Sequence, residues 1–459
     1  MLINDIIYVS VLLGCIGFGP IFRGVKNPNT KKWISTAVGI FVAIIVSGWH
    51  VAHPILTTII NATIISIAPR RTRHIATFFF SFFYLLVIFR LTEYYGVPSP
   101  PTHTNLILMI MTLRYGGLGY EINAAEDELK NELENKNYKG IIKVGFLDVV
   151  HYGFSYMGVL TGPYYRYRTY WDCINRNNGD YINCWDITAY KLKLIILLSI
   201  LYLSADYYYP ASYVMTEEFL KRSFLYRVWY VYPALTTFRM RIYAGMLFSE
   251  CACQMAGMGA YPASTDNRSG HGPKNYKAFM EIAADPEKLK KEPMDFKTIT
   301  NINIWGVESS YSVRVAIKNW NTTVQYWMAN YVYKTFPYKS LRAPAVFVLC
   351  SIWHGYALGY YVAIVSTVFF LPVEHIYIEF YNSCSEGSFA KQLWWGILYC
   401  MRFTCMAYLS FAMLLLTHDK IFTYYNSVYW IGHVLAVFLY LLGVAFKSHS
   451  NPKKMSKVE

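Results

Sequence analysis

Long apolar runs, joined by short basic or polar links, constrain this chain more than any other feature. A helix that crosses the hydrocarbon core of a bilayer needs about 20 mostly apolar residues. Ile6 to Phe22 passes without a single charge, and further runs lie at Trp33 to Val51, Ile55 to Ala68, Ile75 to Leu91 and Leu106 to Tyr120. Val144 to Leu160 is interrupted by Asp148 and His151, and Leu192 to Tyr209, Val228 to Phe248, Val346 to Leu371, Trp394 to Leu416 and Val428 to Phe446 complete the series. Hydrophobic residues make up 55% of the 459 and charged ones only 15%, where soluble domains carry about 25% charged. Disorder, collagen and a small disulfide scaffold are excluded. The expected fold is an all-α polytopic membrane protein with about ten or eleven membrane helices, some tilted, broken or re-entrant.

The polar remainder is confined to a few places. Segments at about 121–143 and 261–303 read as exposed, the first of them helical, and 447–459 is a polar tail. No repeat or low-complexity tract divides the chain, so one integral domain over 1–459 is expected. The first run has no small-residue cleavage site before Arg23 and reads as a retained span. Lys26, Lys31 and Lys32 after it, and Arg70, Arg71 and Arg73 later, argue for cytoplasmic links and a lumenal N-terminus.

Lysine and arginine number 42 against 28 acidic residues, a net charge of +14. In a membrane protein this excess sets topology or attracts anionic lipid or substrate, and nucleic acid is not an expected partner. Nine cysteines cannot all pair. Cys173 and Cys184 bracket a polar loop and close a disulfide if that loop is lumenal, whereas Cys251 and Cys253 lack the companions of a zinc site.

Two polar residues stand out. His354 lies at the centre of the apolar run APAVFVLCSIWHGYALGYYVAIVSTVFFLP. An ionisable group at that depth is costly and is a functional candidate by default. The structural alternative is a neutral ring satisfied by the Cys350 carbonyl or the Ser351 hydroxyl. Gly355 and Gly359 allow another chain or a ligand to approach closely beside it. Upstream, Val313, Ile317, Trp320, Val324, Trp327 and Tyr331 form one stripe at helical spacing, with Asn321 at its edge. Asn321 is alternatively a surface amide or, in Asn-Thr-Thr, a glycan acceptor. An imidazole with an ordinary pKa near 6.5 can deprotonate a hydroxyl near neutrality, and an asparagine amide can donate to an oxyanion.

Arginine suits phosphate geometry, so Arg166 and Arg168 are candidates for gripping a lipid or nucleotide phosphate, or else for anchoring at an aromatic interface. Arg239 and Arg241 invite the same idea more weakly. Asp148 and His151, at i and i+3, read as a structural pair. His50 and His53 lack further ligands, and no metal is expected.

Three blocks of the chain resemble the membrane-bound O-acyltransferase family. They are YGFSYMGVLTGPYYRYRTY from Tyr152 to Tyr170, Trp320-Asn321 with Trp327-Met328, and SIWHG from Ser351 to Gly355. The resemblance implies a central reaction tunnel, with His354 in the role of the family's histidine and Asn321 in that of its asparagine. Trp320 and Trp353, adjacent to them, join Arg166 and Arg168 as candidate substrate-binding residues. VLTGPYYRYRTYWD and WNTTVQYWM are most similar to the lysophosphatidylinositol acyltransferase branch. That similarity implies transfer of a polyunsaturated, arachidonoyl-like chain from acyl-CoA to the sn-2 hydroxyl of a lysophospholipid. It also implies residence in the endoplasmic reticulum membrane and no cofactor beyond acyl-CoA as co-substrate. The tail MSKVE carries no di-lysine retrieval signal. Another headgroup or a protein serine as acceptor, and a transporter of a different class, are the competing readings.

Overall fold

The computed structural model describes residues 2–91, 100–133 and 144–450. Among the described residues its regular secondary structure is helical apart from two short antiparallel pairs, Tyr261–Pro262 with Met294–Asp295 and Asn267–Arg268 with Gly272–Pro273. Among the described residues six helical stretches are long and apolar enough to cross a membrane: Asn4–Gly24, Pro28–Ile67, Arg70–Phe89, Cys184–Met215, Leu358–Ser383 and Phe389–Leu415. The bent pair His418–Ser427 and Ile431–Lys447 makes a seventh if it counts as one span.

The all-α polytopic fold stands, and the other apolar runs are the short or broken ones. Trp33 to Val51 and Ile55 to Ala68 belong to the one stretch Pro28–Ile67, joined by a 3-10 turn at Gly48–Val51. Leu106 to Tyr120 lies inside the 32-residue helix Thr102–Leu133, which carries Arg114. Val144 to Leu160 is helical only over Phe146–Gly153. Val228 to Phe248 falls on Val231–Met255 with Arg239 and Arg241, and Val346 to Leu371 is divided at Gly355.

The backbone falls into two compact units. One comprises Met1–Ile196, Tyr243–Ile302 and Asn321–Thr335; the other comprises Leu197–Ile242, Asn303–Trp320 and Phe336–Glu459.

In the first unit a buried arginine organises a stretch of chain that is not helical. Arg114 is fully buried, and Nη1 donates to the carbonyls of Tyr152 and Gly153 at 3.0 and 3.1 Å. Its Nη2 donates to the Met157 carbonyl at 2.9 Å and to the Tyr165 hydroxyl at 2.7 Å. The Tyr165 ring also lies 4.7 Å from the guanidinium. A turn buried in apolar surroundings must find partners for its carbonyls, and one planar guanidinium with several donors supplies them.

Several expectations change here. Asp148 and His151 do not pair with each other: Asp148 takes Lys32 at 2.9 Å, and the His151 ring meets the Thr36 hydroxyl at 2.7 Å. Both partners lie on the helix Pro28–Ser47, whose side chains reach this face before an i, i+3 neighbour does. Cys173 and Cys184 are free thiols. The Cys173 sulfur rests 3.8 Å from the Met157 sulfur, and the Cys184 thiol donates to the Gly179 carbonyl at 3.5 Å, so the two are drawn to different partners.

The charged stretch after Glu121 begins as a continuation of the Thr102–Leu133 helix, where Glu126 pairs with Arg73 at 2.8 Å and Asp127 with Arg70. Its remainder, 134–143, and the tail beyond 450 lie outside the described residues. The segment 261–303, expected as exposed, folds instead. It buries Tyr261, Phe279, Leu289, Phe296, Ile299 and Ile302, and its helices Tyr276–Ala283 and Pro286–Lys291 are capped by the side chains of Asn275 and Asp285.

In the second unit Gly359 lets two helices meet. A Cβ there would stand 2.1 Å from the Ala412 carbonyl oxygen, and its own N–H donates to Leu416 at 2.9 Å. Phe219, Tyr230, Phe411, Tyr424 and Tyr425 form the buried aromatic centre of this unit. Glu374 accepts from the Ser312 hydroxyl at 3.2 Å and from the Val313 and Arg314 amides, so it closes the start of the helix Val313–Asn319. Arg239 donates to Glu308, with contacts of 2.7 and 2.6 Å.

Replacing Arg114 with Met should destabilise the fold by about 3 kcal/mol or more, since it strands several buried acceptors. Thermal unfolding in detergent reads this out. An unchanged melting temperature would show that the 152–165 turn does not depend on Arg114.

Candidate active site

The stripe from Val313 to Tyr331 is not one helix. It divides into Val313–Asn319 and Thr322–Met328, with a π-turn at Ala329–Tyr333. Between them Trp320 is extended and Asn321 is left-handed, with φ 48° and ψ 51°. Asparagine is among the few side chains that adopt this region, because its short amide can bond locally. Spacing alone is blind to a two-residue break, so Asn321 sits at a sharp corner rather than on a helix edge. Its amide oxygen is buried and has no hydrogen-bond partner among the described residues. An unmet buried acceptor costs about 1–3 kcal/mol. Together with the strained backbone, it marks Asn321 as a residue shaped by something other than stability.

The residues after Asn321 are firmly held. The Thr322 N–H donates to the Asn301 carbonyl at 2.8 Å and its hydroxyl to the Thr300 carbonyl at 2.6 Å. The Thr323 hydroxyl donates to the Asn301 amide oxygen at 2.6 Å and accepts the Tyr164 N–H at 3.1 Å. Trp327 is fully buried, and its indole N–H reaches the Leu113 carbonyl at 2.8 Å. Gly117 makes room beneath it: a Cβ there would lie 2.8 Å from the Tyr164 hydroxyl and 3.1 Å from the Trp327 nitrogen.

Two of the three sequence blocks are therefore in contact within one unit. The extended segment 162–166 runs past the first turn of Thr322–Met328. Glu121 ties the same parts together. It accepts from the Tyr164 hydroxyl at 2.8 Å, the Tyr331 hydroxyl at 3.4 Å and the Tyr167 N–H at 2.9 Å. Arg166 is half-buried and donates from Nε to the His271 carbonyl at 2.7 Å. Arg168 lies over the Tyr276 ring at 4.5 Å. Burial, reinforced by the Arg166 charge, lowers the His271 pKa from 6.5 to about 4.

His354 belongs to the second unit, at the end of the helix Arg342–His354. That helix stops because Gly355, at φ 149°, takes a conformation that few other residues adopt. The His354 ring stacks on Tyr360 with centroids 5.5 Å apart and meets Trp353 edge-on at 5.0 Å. Trp353 is buried, and the Ser351 hydroxyl donates to the Phe347 carbonyl at 2.9 Å. Trp320, half-buried, donates its N–H to Ile317 at 3.0 Å.

The corner at Asn321 and the glycine-terminated helix at His354 fall inside residues 55–418, which match the model of the membrane-bound O-acyltransferase family, MBOAT. The chain belongs to that family. It is a multi-pass membrane O-acyltransferase, and the transporter reading falls. Relatives cover nearly the whole chain. It is similar to the membrane-bound acylglycerophosphatidylinositol O-acyltransferase frj of Drosophila melanogaster, 36% identical over 95% of this chain and 91% of that protein. The Xenopus laevis protein of the same description, mboat7, is 32% identical over 98% of this chain and 96% of its own. The Homo sapiens protein MBOAT7 is 28% identical over 97% and 95%.

Sequence patterns in this O-acyltransferase do not single out Glu121, Asn301 or Thr323, nor was Glu250 among the candidates. Glu250 carried a signal, as a lone carboxylate between the apolar stretches YAGMLFS and CACQM. Asn301 and Thr323 carried none, being ordinary polar residues until folding brings them together.

His271 generates a pH prediction. Its folded pKa lies below the unfolded one, so the unfolded chain binds the proton first and stability falls as pH drops from 6.5 towards about 4. The slope contributed is up to about 1.4 kcal/mol per pH unit. Melting temperatures of wild type and His271→Asn across that window should converge at neutral pH and separate at acid pH, and parallel curves would refute the assignment.

Proposed function

We propose that this enzyme transfers a long polyunsaturated, arachidonoyl-like chain from acyl-CoA to the sn-2 hydroxyl of lysophosphatidylinositol. The setting is phospholipid remodelling in the endoplasmic reticulum membrane. The reading is carried by similarity over 95% of the chain to a Drosophila melanogaster protein named for acylation of acylglycerophosphatidylinositol. The site chemistry supports it, with a strained asparagine whose amide oxygen is unmet and a histidine held between two aromatic rings.

In the proposed reaction His354 takes the hydroxyl proton as the glycerol oxygen attacks the thioester carbonyl carbon. Asn321 serves the transfer through its N–H on the oxyanion or through its oxygen on the reacting hydroxyl. Collapse of the tetrahedral species breaks the carbon–sulfur bond, and the coenzyme A thiolate recovers the proton from His354. Atoms and charge balance without a metal or a further cofactor. Holding both substrates together supplies much of the acceleration. Arg166, Arg168, Trp320 and Trp353 bind substrate, the arginines through phosphate and the indoles through apolar contact.

Membranes containing wild type, His354→Ala or Asn321→Ala should be given labelled arachidonoyl-CoA and a panel of inositol, choline and serine lysophospholipids. Wild type should favour the inositol lipid, and His354→Ala should lower kcat by about 10²–10⁴-fold with the protein still folded. Equal use of all headgroups overturns the acceptor. Label on a peptide serine moves the acceptor to protein. Robust turnover by His354→Ala overturns the base.

A further inference from the structure

The proposed reaction makes no use of Glu250, yet this carboxylate is completely buried, and its ion-pair partner Lys191 keeps only 16% of its side chain exposed. Burying a carboxylate is expensive unless charge and hydrogen bonds both compensate. Here Oε2 pairs with Lys191, while Oε1 accepts the N–H groups of Asn301 and Ile302 at 2.6 and 3.2 Å. No strand or helix is served by these two bonds. They hold a short stretch of loop in place.

That loop is the seat of the Asn321 corner. The Asn301 carbonyl accepts the Thr322 N–H, the Asn301 amide oxygen accepts the Thr323 hydroxyl, and the adjoining Thr300 carbonyl accepts the Thr322 hydroxyl. Three bonds thus fix the two residues after Asn321, and Glu250 fixes the residue that receives two of them. A left-handed asparagine stores about 1–3 kcal/mol and persists only where its surroundings over-determine it. Without the Asn301 acceptors, Thr322 and Thr323 lose the contacts that oppose relaxation of the corner.

We propose that Glu250 is a positioning residue for Asn321, acting through Asn301 to hold the left-handed corner that aims the amide. The proposal rests on the reading of Asn321 as a catalytic group. Displacing a reacting group by about 1 Å can cost about 10²-fold in rate, so the effect belongs in kcat.

The test uses the full-length enzyme in detergent, with arachidonoyl-CoA and lysophosphatidylinositol. Glu250→Gln keeps the shape and an acceptor but loses the Lys191 charge pairing. Asn301→Ala removes the acceptor for Thr323, and Asn301→Asp retains it. Glu250→Gln and Asn301→Ala should each lower kcat by about tenfold or more, with KM for acyl-CoA changed less than about twofold. Asn301→Asp should recover most of the loss, and Asn301→Ala placed on Asn321→Ala should lower kcat no further than Asn321→Ala alone. Full turnover by folded Asn301→Ala overturns the proposal. So does a loss that tracks melting temperature and is not rescued by Asn301→Asp, or one that adds fully to Asn321→Ala. If Glu250→Gln does not fold, the Asn301 pair carries the test. Wild-type kcat in Asn321→Ala would instead overturn the catalytic reading of Asn321, a result distinct from failure of the positioning role.

Discussion

Each break in a helix frees backbone groups that apolar surroundings cannot hydrate. In this protein buried ionic side chains meet that constraint. Arg114 supplies donors to the carbonyls of Tyr152, Gly153 and Met157. Glu250 supplies an acceptor to the amides of Asn301 and Ile302. Glu374 does the same for Val313 and Arg314. Their signs are set by need, since exposed carbonyls call for a cation and exposed amides for a carboxylate. The non-helical segments that make the fold specific depend on these groups.

The same logic describes the residues around Asn321, which are heavily tied while its side-chain oxygen is not. Thr322 and Thr323 use their hydroxyls on Thr300 and Asn301, and Tyr164 adds its amide to Thr323. Glu121 then gathers Tyr164, Tyr167 and Tyr331 around one carboxylate. A frame of hydrogen bonds with one unmet amide oxygen at its corner is the kind of arrangement that preorganised sites use. His354 is placed by simpler means: a helix ended by Gly355, and two aromatic rings against the imidazole.

Much of this was legible in the chain. The apolar runs announced a polytopic helical protein, and His354 and Asn321 stood out because polar residues in apolar surroundings require a reason. The stripe from Val313 to Tyr331 was legible as apolar periodicity but not as two helices, because the corner at Trp320 and Asn321 leaves no mark in spacing. Asp148 and His151 were legible as structural but not in their partners, which come from a helix more than a hundred residues earlier. The segment 261–303 looked like a solvated loop because its charges are visible in sequence, whereas its burial of Phe279 and Ile299 depends on what packs over it.

By itself the sequence determined the solvent of this protein and singled out His354 and Asn321 as candidate side chains. Both are consequences of the local cost of placing a given residue type in an apolar neighbourhood. Only the tertiary structure decided the conformation of Asn321, the partners of Arg114 and Glu250, and the fate of Cys173 and Cys184 as free thiols. Those depend on contacts between residues far apart in the chain, such as Tyr164 with Thr323 or Glu250 with Asn301. Hydrogen bonds of that kind act over about 3 Å, so no pattern in the linear order records them until folding closes the distance.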